Sequence, residues 1–193
     1  MFMSTGKMDH MTPHLPVKPD STYVDNSSDT RDAVEWLLNN TPNNGKVGLW
    51  GISYRGFYAA SGIIDAHPAL VCSSPQAPIA DWFIGDDIHH NGAFGLLPAF
   101  NFFEVVGQHH DSLFTEWPAG FDFPLRDAYH FFLDLGRLSN VNSRYFENKV
   151  PYWDTIVKHP NYDNFWQQRN ILPHLHDIRP AVLVTGGLFD HEN

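Results

Sequence analysis

The pattern of apolar positions divides the chain into an alternating helix–strand stretch and an aromatic-rich stretch that interrupts it. Residues 1–27 show no apolar period, and 1–20 read as a loose N-terminal tail rich in Pro, His and Met. Ser27, Ser28 and Asp29 then offer helix N-caps, with Asp29 and Asp32 where the positive end of a helix dipole favours acids. Ala33, Val34, Trp36, Leu37 and Leu38 follow at helical spacing, and the Asn-, Pro- and Gly-rich run 39–45 stops that helix. Lys46 to Gly51 is short and apolar, as a buried strand is. After a turn at Ser53, Phe57 to Ala66 predicts a helix that His67-Pro68 ends, and Leu70 to Ser74 predicts a second buried strand. Helix, strand, helix, strand over 29–74 is what a parallel sheet with crossover helices requires, so the expected fold class is α/β.

From about residue 81 the texture changes. Residues 94–103 and 129–133 are dense in aromatics, and Asp127 to Leu138 and Tyr162 to Asn170 predict helices. Phe94, Phe100, Phe102 and Phe103 read as core packing that also lines a pocket. Arg179-Pro180 then introduces Ala181 to Gly187, once more a buried-strand pattern. The domain expected from this is 21–193, with a helical insertion over about 81–173.

Composition narrows the classes. The chain has 193 residues, 42% of them hydrophobic and 18% charged, which is a globular profile able to bury one core. The net charge of −10 makes a poor surface for nucleic acid or an anionic membrane, so neither is expected as a partner. No apolar stretch is long enough to span a bilayer, and the N-terminus carries no signal-peptide core. The compartment is left open between the cytoplasm and export directed by a further N-terminal segment. Cys72 is the single cysteine, so no internal disulfide forms, and its apolar neighbours Ala69, Leu70 and Val71 predict a buried, inert thiol. The twelve histidines include the close pairs His89-His90, His109-His110 and His174/His176. Immediate neighbours do not share a helix face and no His-Glu-x-x-His is present, so these are expected to be structural, with no metal and no cofactor.

The chemistry centres on Gly51-Ile52-Ser53-Tyr54-Arg55-Gly56. A serine attacks a carbonyl only when a base takes its proton and donors hold the oxyanion. A sharp strand-to-helix turn supplies the exposure, and small residues let its backbone segments approach. An apolar strand ends at Gly51 and a helix begins near Gly56, which favours Ser53 as a nucleophile over a surface serine in an ordinary Gly-rich turn. Asp190 lies in the loop leaving the strand Ala181 to Thr185, where a triad acid belongs; a loop aspartate capping a following helix would occupy the same place. The Ser53–Asp190 separation exceeds one crossover unit, so the insertion between them is expected to form a cap.

These residues resemble a known family. Lys46 to Phe57 is similar to the nucleophile segment of the X-Pro dipeptidyl-peptidase-like hydrolases, a branch of the α/β-hydrolases that includes cocaine esterase, glutaryl acylases and α-amino-acid ester hydrolases. Asp65 to Leu70, Ser74 to Pro78, Asp81 to Asp87, Gly92 to Phe94 and Gly187 to Asp190 extend the resemblance in order over residues 20–193. It implies a partial α/β-hydrolase fold and a small ester, amide or short peptide as substrate. A homo-oligomer is compatible with it. It also implies that Ser53 is acylated, that the backbone N–H of Tyr54 gives one oxyanion donor and that Asp190 orients a histidine. In the amino-acid ester hydrolases a carboxylate cluster holds the substrate's ammonium group; the matching positions are Asp87 and Glu192, with neutral Asn193 at a third. The histidine should follow the acid, but only His191 does, and its adjacency to Asp190 is wrong for a relay, so the catalytic histidine is read as absent from these 193 residues. The expected consequence is a family hydrolase whose isolated chain turns over little. The competing expectation is a remnant that only binds ligands or a partner.

Overall fold

The computed structural model describes residues 15–17, 25–85, 88–108, 119–124 and 127–190. In chain order the elements are α1 (Asn26–Asn40), β1 (Val47–Ile52), α2 (Tyr54–Ser61), β2 (Leu70–Gln76), β3 (His89–His90), β4 (Ala93–Phe94), α3 (Leu96–Val106), α4 (Ala128–Leu135), α5 (Asn140–Arg144), α6 (Pro151–Lys158), α7 (Asn164–Gln167) and β5 (Ala181–Val182). The chain divides into two compact units, one of residues 13–93 with 163–193 and one built on 94–162.

The first unit holds a parallel sheet in the order β1-β2-β5. β1 pairs with β2 from Val47↔Leu70 to Ile52↔Gln76, β2 pairs with β5 at Cys72↔Ala181 and Ser73↔Val182, and a bridge Gln76↔Thr185 prolongs the second ladder. α2 is the crossover between β1 and β2, and its buried residues Phe57, Ala59, Ala60 and Ser61 lie against the sheet. Ser73 Oγ donates to the Ala59 carbonyl at 2.8 Å. A Cβ at Gly62 would lie 2.9 Å from Leu49 Cδ2 and 2.8 Å from Thr30, so this glycine is where α1, α2 and β1 close up. The cap of α1 is Asp25 rather than Ser27–Asp29: its carboxylate accepts both the N–H and the hydroxyl of Ser28, at 2.5 and 2.6 Å. Carbonyls of Leu15 and Pro16 accept from the Asn26 and Ser27 amides, satisfying further first-turn donors.

Of the strands predicted as buried, β1 and β2 are covered on one face only. Gly48, Trp50 and Ile52 alternate onto the opposite face, where Trp50 is 69% exposed, and β5 with its continuation is exposed throughout. Cys72, expected to be a buried thiol, is exposed on that face. A parallel strand is buried on both sides only when helices cover both, and among the described residues no element covers this one. A groove of about 450 Å³ runs along it, lined by Gly48, Trp50, Cys72, Ser74, Ala181 and Leu183 among others.

The second unit is an aromatic cluster. Phe100, Phe103 and Trp153 are fully buried, and the Phe100 ring meets Phe121, Phe131 and Phe146 at centroid distances of 5.0, 5.7 and 5.0 Å. Trp153 Nε1 donates to the Leu138 carbonyl at 2.9 Å. Buried Asn142 joins α5 to α6 by donating to Asp154 at 2.7 Å and accepting from the Val150 amide at 3.2 Å.

Candidate active site

Ser53 occupies the β1–α2 junction with φ 59° and ψ −126°. A residue with a side chain is uncommon there, and holding it costs on the order of 1–3 kcal/mol. Although Ser53 stands at the N-cap of α2, its side chain makes no cap hydrogen bond, and the residue is exposed. Its backbone is held from both sides: its N–H donates to the Gln76 carbonyl at 2.9 Å, and its carbonyl accepts from Phe57 at 3.0 Å.

The flanking glycines have separate reasons. A Cβ at Gly51 would fall 2.3 Å from the Arg55 carbonyl oxygen, so the chain folds back on itself there. A Cβ at Gly56 would fall 2.4 Å from the Gln76 oxygen and 3.2 Å from the Gly51 oxygen. Gly56 is thus a close approach of α2 to the end of β2 and sits inside the helix rather than in the turn. That explains why it stands three residues after Ser53 instead of two.

The first-turn amides of α2, Tyr54 among them, lie at the positive end of the helix, ahead of its i→i−4 ladder. The Tyr54 ring is buried and meets Tyr58 and Trp82 edge-on at 5.1 and 5.4 Å, which anchors the residue whose amide follows Ser53. Burial pushes the Tyr58 phenol up to about 12, against a hydrogen bond with Tyr54 that pulls it down, so Tyr58 stays neutral beneath the turn.

Asp190 lies beyond β5. Thr185 is tied to β2 twice, its N–H donating to Pro75 at 3.1 Å and its carbonyl accepting from Ala77 at 2.7 Å. Gly186 and Gly187 follow, and the Asp190 N–H donates to the Gly187 carbonyl at 3.3 Å to close a turn. The Ser53 turn and the Asp190 loop leave the same carboxyl edge of the sheet from strands separated by β2, so their bases stand roughly 10 Å apart. Asp87, His191 and Glu192 lie outside the described residues.

Asp81 is buried and structural. Its Oδ1 accepts from the Phe83 and Ile84 amides at 2.9 and 3.1 Å, and its Oδ2 accepts from Asn170 at 2.7 Å. His89 is packed between rings, stacked on Phe83 at 4.6 Å and edge-on to Trp166 at 4.9 Å. Burial pushes its pKa down, a hydrogen bond to the Trp82 backbone pulling the other way. Among the described residues no group of three or more His, Cys, Asp or Glu side chains is placed to hold a metal ion, and no helix is long and apolar enough to cross a membrane. The sheet-face groove includes neither Ser53 nor Asp190. The backbone of Gln76 and Ala77 meets both loops, and since backbone groups leave no residue-type signature, the sequence marks it only by the run Ser74 to Pro78.

The sequence model of the X-Pro dipeptidyl-peptidase (S15 family) matches residues 2–193. The chain is 23% identical over 179 residues to the cocaine esterase of Rhodococcus sp. (strain MB1 Bresler), covering 87% of this chain and 30% of that protein. Its structure is similar to that of an aminopeptidase from the marine sediment archaeon Thaumarchaeota archaeon, with a TM-score of 0.79, 31% identity, and coverage of 95% of this chain and 30% of the other. It is also similar to an α-amino acid ester hydrolase, with a TM-score of 0.73, 30% identity, and coverage of 90% and 27%. The chain therefore spans less than a third of the length of these relatives.

Proposed function

Because the chain belongs to the X-Pro dipeptidyl-peptidase family of hydrolases and has a partial α/β-hydrolase fold, we propose that Ser53 is the nucleophile of a serine hydrolase that cleaves esters or amides through an acyl-enzyme. The observation that carries this is the backbone of Ser53. A serine held at φ 59°, exposed and not used as a cap, has a geometry that costs stability and serves presentation of the hydroxyl.

In this reading the Ser53 oxygen attacks the carbonyl carbon and the Tyr54 N–H donates to the oxygen that becomes negative. The base of this chemistry is a histidine that these 193 residues do not supply; set between Ser53 and Asp190 it would take the serine proton and return it to the leaving group, while the Asp190 carboxylate would orient the ring. Water then releases the acyl group by the same route. The roughly 10 Å between the bases of the two loops leaves room for an imidazole. Asp87 and Glu192 supply negative charge for an acyl group bearing an α-ammonium, which accords with relatives named as an aminopeptidase and an α-amino acid ester hydrolase. Glutaryl-type acylase or X-Pro dipeptidyl-peptidase activity is the runner-up within the same chemistry, since pocket shape decides the leaving group.

Only His191 follows Asp190 within these 193 residues. We therefore expect this polypeptide alone to acylate slowly and turn over little, because loss of the base costs orders of magnitude while the remaining site still gives roughly 10³–10⁴ over water. That residual reactivity makes the test practical: prolonged exposure to a fluorophosphonate probe should label the chain at Ser53, and Ser53→Ala should abolish the label. Equal labelling of the two proteins would remove the nucleophile assignment and favour a non-catalytic remnant. Rapid Ser53-dependent ester turnover by the isolated chain would overturn the claim of low activity.

A further inference from the structure

We propose that the peptide group joining Gln76 to Ala77 is a positioning element that couples the Ser53 turn to the loop carrying Asp190. The proposal rests on the roles given above to those two residues. One planar unit makes both contacts: the Gln76 carbonyl accepts from the Ser53 N–H at 2.9 Å, and the Ala77 N–H donates to the Thr185 carbonyl at 2.7 Å. In a trans peptide the C=O and N–H point in opposite directions, so the group reaches from the end of β2 to the β1 side and the β5 side together. The unit is rigid about its C–N bond, so a tilt that lengthens one hydrogen bond displaces the other. Donation at one end and acceptance at the other also polarise the group, strengthening both bonds.

Three further features hold this group in place. The Thr185 N–H returns a bond to the Pro75 carbonyl at 3.1 Å, closing a ring between β2 and the strand that leads to Asp190. On the other side Gly56 brings α2 so close that a Cβ would lie 2.4 Å from the Gln76 oxygen and 3.3 Å from its carbon. Ala77 itself sits at φ 39°, in the left-handed region that a residue with a Cβ enters at a cost, and it is where the chain leaves β2. Two strained residues, Ser53 and Ala77, thus flank one hydrogen bond at the carboxyl edge of the sheet. The arrangement fixes where the nucleophile and the acid stand relative to each other through backbone hydrogen bonds.

The test uses Ala77→Val, whose branched side chain crowds a left-handed backbone, and Ala77→Gly, which accepts it. In Ala77→Val, amide hydrogen exchange should accelerate together at Ser53 and at Asp190, by about tenfold or more, while α1 amides stay unchanged. The maximal rate of labelling by the fluorophosphonate should fall about tenfold with its half-saturating concentration held within about twofold, as expected when geometry and not binding is lost. In Ala77→Gly both should stay at the parent values. Acceleration at Ser53 with Asp190 unaffected, or no acceleration at either, would overturn the coupling. Where Ala77→Val fails to fold, Gly56→Ala pushes the same carbonyl from the other side and must loosen the Asp190 amide. Should Ser53 prove not to be labelled at all, the exchange measurements still decide the coupling, and only the catalytic reading is lost.

Discussion

Ser53 holds a left-handed φ of 59° with no side-chain cap bond in return, so the strain belongs to the folded state without local compensation. Ser53→Ala keeps a Cβ and keeps the strain; Ser53→Gly removes both. Ser53→Gly should therefore be more stable than Ser53→Ala by about 1 kcal/mol in urea denaturation, despite the greater freedom glycine gives the unfolded chain. Equal stability would mean that the turn is not strained. His89 makes the complementary case, a side chain under stress from its surroundings. Burial against Phe83 and Trp166 lowers its pKa below the ordinary 6.5, so the unfolded chain binds this proton more readily than the folded one. Its contribution to stability is complete above about pH 6.5 and shrinks as the pH falls below that value. Comparing pH 7.5 with 5.5, the drop in Tm should be smaller in His89→Gln than in the parent, whatever the absolute Tm of the variant. An identical drop would show that His89 does not titrate differently on folding.

The strands and helices around the β1–α2 turn were legible because each has a period and an end signal of its own. β1, α2 and β2 follow the expected order, with α2 beginning at Tyr54 and closing at Ser61 rather than running from Phe57 to Ala66, since Gly62 to Asp65 turn away at the crowded contact with Thr30 and Leu49. α3 escaped notice for a physical reason: Leu96–Val106 is apolar nearly all round and carries Pro98 in its first turn, so no amphipathic stripe announces a helix. α5 is too short for a pattern to accumulate, whereas α6, as long as α2 and α4, carries its signal in the sequence: Pro151 at its start and a buried stripe of Tyr152, Trp153 and Ile156. Burial was the quantity most misread. An apolar strand in a parallel sheet predicts helices on both faces, and the sequence around Cys72 cannot say that one face is uncovered among the described residues. The consequence is measurable. Cys72 should react with a maleimide in the native protein within about threefold of its rate in denaturant, where a buried thiol would be slowed by orders of magnitude. Strong native protection would place a covering element over the sheet.

A sheet face that no described element covers has consequences for the molecule as a whole. Trp50 is 69% exposed and Leu183 67%, and with Cys72 and Ala181 they form one apolar strip lining the 450 Å³ groove. A contiguous apolar patch of this kind drives association, and a sheet edge paired by no described strand adds a template for strand pairing beside it. A net charge of −10 opposes that tendency through repulsion between copies, and salt weakens the repulsion while leaving apolar contact intact. The two effects therefore separate by ionic strength. In sedimentation velocity the 193-residue chain should be mostly monomeric at low salt and should associate as salt rises past about 0.15 M, where the screening length falls to about 8 Å. Trp50→Glu with Leu183→Glu should abolish the salt-induced association, because charge then sits on the contact face itself. A control pair of glutamates at exposed sites on α1, Trp36→Glu with Leu37→Glu, should leave it in place, since α1 packs with α2 on the covered side of the sheet rather than on its open face. Association that persists in the sheet variant, or disappears equally in the helix variant, would assign the contact to another surface or to charge alone.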